Sequence, residues 1–153
     1  MKNISIYTGL MALLVAFSGS PVFADGHCNL SIGAGDNMQF SAKSMSAPAS
    51  CANVTVTLNH TGQFPKNAMG HNWVLTTEAD FKGVAMDGGS AGLRNNYMKE
   101  GDARVIAATS IIGGGESTSV TFSTEGMTAG TAYTFFCSFP GHWGIMKGTF
   151  TLN

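Results

Sequence analysis

Ten residues near the C-terminus, Cys137-Ser-Phe-Pro-Gly-His142-Trp-Gly-Ile-Met146, hold a thiol, an imidazole and a thioether, with Pro140 and Gly141 shaping the bend between them. A second imidazole, His71, stands far upstream in Met69-Gly70-His71-Asn72. Soft sulfur combined with imidazole is a ligand set suited to copper. Two histidines and a cysteine in a trigonal arrangement, with a long, weak methionine contact, form the geometry of one-electron blue-copper sites. A rigid site held between the preferences of Cu(I) and Cu(II) moves little when an electron arrives or leaves. Taken singly, each residue has a blander reading. Cys137 fits a buried structural thiol, Met146 a gap-filling core side chain, and His71 a hydrogen-bonded core histidine. Their conjunction favours a metal site.

The cysteine count supports that choice. Three cysteines, Cys28, Cys51 and Cys137, allow one disulfide and leave one thiol over. Export is expected from the N-terminus: Lys2, an apolar run over Ile4 to Phe17, and small residues at Val22-Phe23-Ala24 have the layout of a cleaved secretory leader. That run is too short to span a bilayer, and no later stretch approaches membrane length. In an oxidising compartment the economical assignment is a Cys28–Cys51 bridge, with Cys137 reserved for other chemistry. Of the eight basic residues Lys2 lies in the leader, leaving seven against nine acids. With no basic excess, nucleic acid is excluded as a partner. At 153 residues, the expectation is a leader over 1–24 and a single domain over 25–153.

The elements that must position these ligands read as strands. Val54 to Leu58 alternates apolar and polar residues with β-branching. Further candidates are 72–77, 104–108, 119–123, 131–137 and 148–152. Gly35-Asp36, Pro65-Lys66-Asn67, Gly113-Gly114-Gly115 and Thr128-Ala129-Gly130 punctuate them. Several short strands with glycine-rich turns predict an all-β sandwich or barrel. Glu78 to Met98 breaks the rhythm and reads as a flap, with a helical turn over 78–81 and a loose Asp87 to Gly92.

Three stretches together resemble the azurins of the cupredoxin family. They are Pro65-Lys66-Asn67-Ala68-Met69-Gly70-His71-Asn72-Trp73-Val74-Leu75, then Arg104-Val105-Ile106-Ala107, then Phe135 to His142 with Met146-Lys147-Gly148-Thr149. The likeness runs from about the first cysteine to the C-terminus. It implies an eight-stranded Greek-key cupredoxin sandwich with one copper ion near one end. It further implies that His71, Cys137 and His142 are strong ligands, Met146 a weak axial ligand, and the Gly70 carbonyl a weak opposite contact. A Cys28–Cys51 disulfide matches the family. So do backbone N–H donors from Asn72 and Phe139 to the Cys137 sulfur, a core tryptophan at Trp73, and a shielded histidine at His60.

The resemblance also implies an electron path through the His142 edge, framed by an apolar patch of Met38, Met69, Phe139, Pro140 and Trp143. The expected role is a periplasmic one-electron carrier rather than an enzyme, working with c-type cytochromes, other redox proteins or a periplasmic reductase. Two rivals differ in kind. One is a copper- or zinc-holding chaperone module without redox turnover, separated by reversible one-electron cycling. The other is an enzyme with Cys137 as nucleophile, separated by the reactivity of its thiol. If the leader ends at Ala24, Asp25-Gly26-His27 also matches a terminal chelate for Cu(II) or Ni(II), against the simpler reading of a solvated terminus.

Overall fold

The computed structural model describes residues 28–153. The expected leader and Asp25-Gly26-His27 lie outside them. Two sheets pack face to face. The first has the order β2 (Gln39–Phe40), β1 (Asn29–Gly35), β4 (Asn53–His60), β7 (Ser117–Ser123). The second has the order β3 (Ser44–Ala47), β9 (Lys147–Leu152), β8 (Tyr133–Phe136), β5 (Val74–Thr77), β6 (Ala107–Ala108).

The alternation in β4 does the sorting. Val54, Val56, Leu58 and His60 all point inward and are buried, while their neighbours are not. A shift of one residue would turn that apolar set to solvent, so the register with β1 (Leu30 opposite Val56) and β7 (Val56 opposite Val120) is strongly specified.

Among the described residues nine strand segments stand where eight were expected, and the reason is local. β2 pairs with β1 in the first sheet, whereas β3, three residues later, pairs with β9 in the second. One strand thus crosses between sheets through a bend at 41–43, a common way of closing a sandwich corner. Ser41 N–H and Lys43 C=O still bond across the bend, to Gly33 and Thr149.

The sequence reading predicts no strand over β1, β2 or β3; the strands it does predict differ only at their ends. Residues 104–108 contract to β6 because Val105 N–H turns back to the Asp102 carbonyl. The flap helix, α2, spans Phe81–Gly88 rather than the preceding turn. It is delayed because the Thr77 hydroxyl accepts the Asp80 N–H and holds 78–80 as a turn. Its buried residues, Phe81, Val84, Ala85 and Gly88, recur at i, i+3, i+4 and i+7 and form one apolar stripe. Phe81, Val84 and Ala85 join Val74 and Phe136 in a small second core. The main core lies between the sheets around Trp73, whose ring stacks near Phe122 and Phe135 at 6.0 Å each and meets Phe150 edge-on.

Cys28 and Cys51 are bridged, with Cα atoms 5.7 Å apart. The bridge joins the starts of β1 and β4, while His60 ends β4, seven steps of about 3.3 Å away. The two sites are therefore separated by the length of the sheet. Replacing both cysteines with serine should cost about 2–4 kcal/mol in denaturant unfolding. A cost near zero would place the constraint on this end of the sandwich elsewhere.

Candidate metal centre

The ligand residues sit on the loops at strand ends. His71 precedes β5, and its backbone makes an isolated bridge with Ile112 through reciprocal bonds of 3.0 and 2.9 Å. Just before it, a Cβ at Gly70 would collide with the Lys66 carbonyl and the Ile111 side chain, so glycine keeps that backbone close. The preceding helical turn, α1 (Lys66–Met69), ends at this point. Cys137 follows the last residue of β8. His142 and Met146 lie on the loop to β9, which is cinched twice. Met146 N–H returns to the His142 carbonyl at 2.8 Å, and Cys137 N–H meets the Met146 carbonyl at 3.0 Å. Gly141, at φ +83°, takes the left-handed turn before His142.

The result is a tight cluster. The ring nitrogens of His71 and His142 and the Cys137 sulfur all lie within 4.8 Å of one another, and all three residues are buried. Cys137 Sγ is 3.8 Å from His71 Nδ1 and 3.6 Å from His142 Nδ1. Metal–sulfur and metal–nitrogen bonds of about 2.3 and 2.0 Å, meeting near the trigonal angle, would set those atoms about 3.7 Å apart. The donor set therefore fits one small metal ion. The Gly70 carbonyl is 3.9 Å from the same sulfur, and Met146 is fully buried in the adjoining core.

Tautomer and orientation are set by neighbours. His71 Nε2 lies 2.9 Å from the Gly35 carbonyl at the end of β1. Donating there leaves the Nδ1 lone pair facing the sulfur. His60 stacks on His71 with centroids 4.5 Å apart, and its own Nε2 reaches the Met69 carbonyl at 2.8 Å. The Cys137 sulfur accepts backbone N–H bonds from Asn72 and Phe139. The Asn72 side chain spans the two ligand segments, accepting Ser138 N–H at 2.9 Å and donating to Ser138 Oγ at 2.8 Å.

Around His142 the Phe139 ring lies 4.6 Å from the imidazole, and Tyr97 meets Phe139 edge-on at 5.3 Å. Met38, Met69 and Phe139 are half-buried and Pro140 is exposed. Trp143 is half-buried with its ring edge-on to Phe81, so it packs on the flap helix. The sequence reading singled out neither Ser138 nor the flap residue Asn96, whose carbonyl accepts the Ser138 hydroxyl at 2.7 Å. The one available signal was the Asn95-Asn96 pair after Gly92, because asparagine tolerates the left-handed conformation that Asn96 adopts at φ +53°.

Burial sets the charge states. It pushes the Cys137 thiol up to about 12, against the two N–H donors that act the other way. Burial likewise pulls His71 down to about 4, opposed by the bond to Gly35, and lowers His142. Without metal the thiol is thus protonated and hidden at neutral pH, the reverse of an activated nucleophile. Both imidazoles are already neutral there, so metal uptake at pH 7 should release about one proton per ion, from Cys137. Calorimetry in buffers of differing ionisation enthalpy measures this directly. Between pH 6.5 and about 4 the unfolded chain binds the His71 proton and the folded chain does not. The metal-free protein should therefore lose stability as pH falls through that window.

Comparison with known proteins agrees with this chemistry. Residues 26–153 match the family of copper-binding proteins described as plastocyanin/azurin. The chain is 54% identical to azurin of Bordetella pertussis over 144 residues, covering 94% of this chain and 95% of the relative. It is 57% identical to azurin of Pseudomonas denitrificans over 126 residues, covering 82% and 98%. Among solved structures, an azurin from Methylomonas sp. strain J superposes with a TM-score of 0.79 at 51% identity, over 82% of this chain and 98% of that one. Family, fold and ligand geometry converge: the chain belongs to the plastocyanin/azurin copper-binding family, and is an electron carrier, not an enzyme, with a type 1 copper site at His71, Cys137, His142 and Met146.

Proposed function

We propose that this chain is exported, cleaved after Ala24, and works in the bacterial periplasm as a single domain over residues 25–153. It passes single electrons between c-type cytochromes, other small redox proteins or a periplasmic reductase. The observation that carries the reading is the closed ligand set, with two imidazole nitrogens and a thiol sulfur mutually within 4.8 Å and all buried. Bound copper supplies a one-electron Cu(II)/Cu(I) couple. The chain's own residues do the rest.

His71, Cys137 and His142 would hold the ion, with Met146 and the Gly70 carbonyl as weaker contacts. The N–H groups of Asn72 and Phe139 draw electron density from the sulfur and favour the reduced state. Burial keeps water out, which leaves no position for a substrate. Transfer runs through the edge of His142, which is 3% exposed, within a patch of Met38, Met69, Phe139, Pro140 and Trp143. None of these side chains is charged. A small apolar patch suits brief encounters, because weak redox pairs bury little area.

Copper-loaded protein should show an intense visible thiolate-to-copper band that bleaches with ascorbate and returns on oxidation. A colourless protein, with Cys137 reduced and zinc absent by mass spectrometry, would overturn the reading. The patch has its own test. Met38 sits at φ +54°, a conformation that aspartate tolerates, so Met38→Asp should fold and keep the band. At low salt it should slow oxidation by anionic ferricyanide roughly threefold and speed exchange with cationic hexaammineruthenium by a similar factor. Equal effects on both reagents would move the electron path away from Met38.

A further inference from the structure

The flap carries a contact that its role as a cover for the second core does not explain. After the 3-10 turn Leu93–Asn95, Asn96 takes a left-handed conformation and faces two segments at once. Its carbonyl accepts the Ser138 hydroxyl at 2.7 Å, with the Asn72 amide nitrogen further off at 3.5 Å. Its side-chain oxygen accepts Ile111 N–H at 2.8 Å. Ser138 follows Cys137 directly. Ile111 precedes Ile112, which forms the backbone bridge with His71. One residue outside the ligand loops is therefore bonded to both segments that hold ligands.

We propose that Asn96 is a positioning residue for the copper site. By tying the Ile111–Ile112 segment to Ser138, it fixes the spacing between His71 and Cys137 and the aim of the Asn72 and Phe139 N–H groups at the sulfur. The neighbouring residue reinforces this, since the Tyr97 ring braces Phe139. The physical ground is geometric. A hydrogen bond to sulfur weakens steeply as it loses alignment, and Ser138, between Cys137 and Phe139, is where the loop meets both Asn72 and the flap. Ser138 Oγ and Ser138 N–H are bonded only to Asn72 and Asn96 among the described residues. Asn72 ties the loop to the His71 segment directly, and releasing the flap end would leave that tie without its second brace. Asparagine suits the position because it combines tolerance of positive φ with an acceptor of the right reach.

The test separates the acceptor from the backbone conformation. Asn96→Gly keeps the left-handed turn and loses the side-chain oxygen. Asn96→Asp keeps both the turn and an acceptor for Ile111 N–H. In the metal-free protein, hydrogen exchange at the Asn72 and Phe139 amides should be roughly five- to tenfold faster in the glycine variant and close to wild type in the aspartate variant. In the copper-loaded protein, the glycine variant should shift the thiolate-to-copper band and the reduction potential, while the aspartate variant leaves the band in place. A glycine variant with unchanged exchange, band and potential would overturn the proposal. So would an aspartate variant that moves band and exchange as far as glycine does, or a glycine variant that loses only thermal stability. The inference rests on the copper-site reading, whose own failure would appear separately, as a missing band in the wild-type protein.

Discussion

Everything in this molecule answers to one constraint: two imidazoles and a thiol are held together out of water. Buried polar groups are costly unless they are bonded, and here His71 and Cys137 each have a specified partner. His71 Nε2 faces the Gly35 carbonyl, and the Cys137 sulfur receives the Asn72 and Phe139 amides. The atoms left over, two Nδ1 lone pairs and the sulfur, point at one another. Neutral donors gathered in a dry pocket favour a metal ion. The same dryness disfavours a charged imidazole and a free thiolate. The environment that lifts the thiol and lowers the histidines in the metal-free chain is thus the one that makes the site selective for a cation of matching softness.

The sandwich exists to keep that cluster from relaxing. Its ligands come from two places far apart in sequence, and the upstream one, His71, is braced by three different elements. β1 supplies the Gly35 carbonyl, β4 ends in the His60 ring stacked on His71, and the 111–112 segment bridges the His71 backbone. Behind them the aromatic core around Trp73 fills the space between sheets. It does so at some cost, because Trp73 Nε1 is buried and finds no hydrogen-bond partner among the described residues. An unpaired buried donor of this kind costs about 1–3 kcal/mol. The ring contacts to Phe122, Phe135 and Phe150 offset it, since aromatic burial contributes on a similar scale.

The ligands were legible in the sequence because copper chemistry needs particular atoms, and a thiol, imidazoles and a thioether at close spacing have few other uses in combination. The alternating strands were legible for a related reason: Val54 to Leu58 can bury one face only as a strand. What escaped was set by long-range pairing. β1 carries small residues, Gly33, Ala34 and Gly35, whose local pattern is weak, and it is a strand because β4 runs parallel beside it. β3 is Ser-Met-Ser-Ala, a poor strand former held in place by β9. The helix boundary moved because one side-chain hydroxyl, on Thr77, captured the Asp80 N–H. Periodicity cannot announce a contact of that kind. The Asn96 and Ser138 contacts escaped for the same reason, being made between loops that no pattern joins.

Placing the flap beside the ligand loop has a consequence for how such a site can be tuned. The direct ligands leave little freedom, since any change of type there alters the metal chemistry. The amide donors to sulfur are backbone groups, which no substitution except proline removes. Their aim can be changed only by moving the segments that carry them. The flap, anchored on its far side by Arg104 ion-paired to Asp87 at the end of α2 and to Asp102, is the element with room to vary. A sandwich fixed by its core and disulfide, with a separately packed flap touching both ligand segments, separates the two requirements. The core sets whether the protein folds. Small changes in the flap can then adjust how strongly the sulfur is hydrogen-bonded, and with it the balance between the two copper oxidation states.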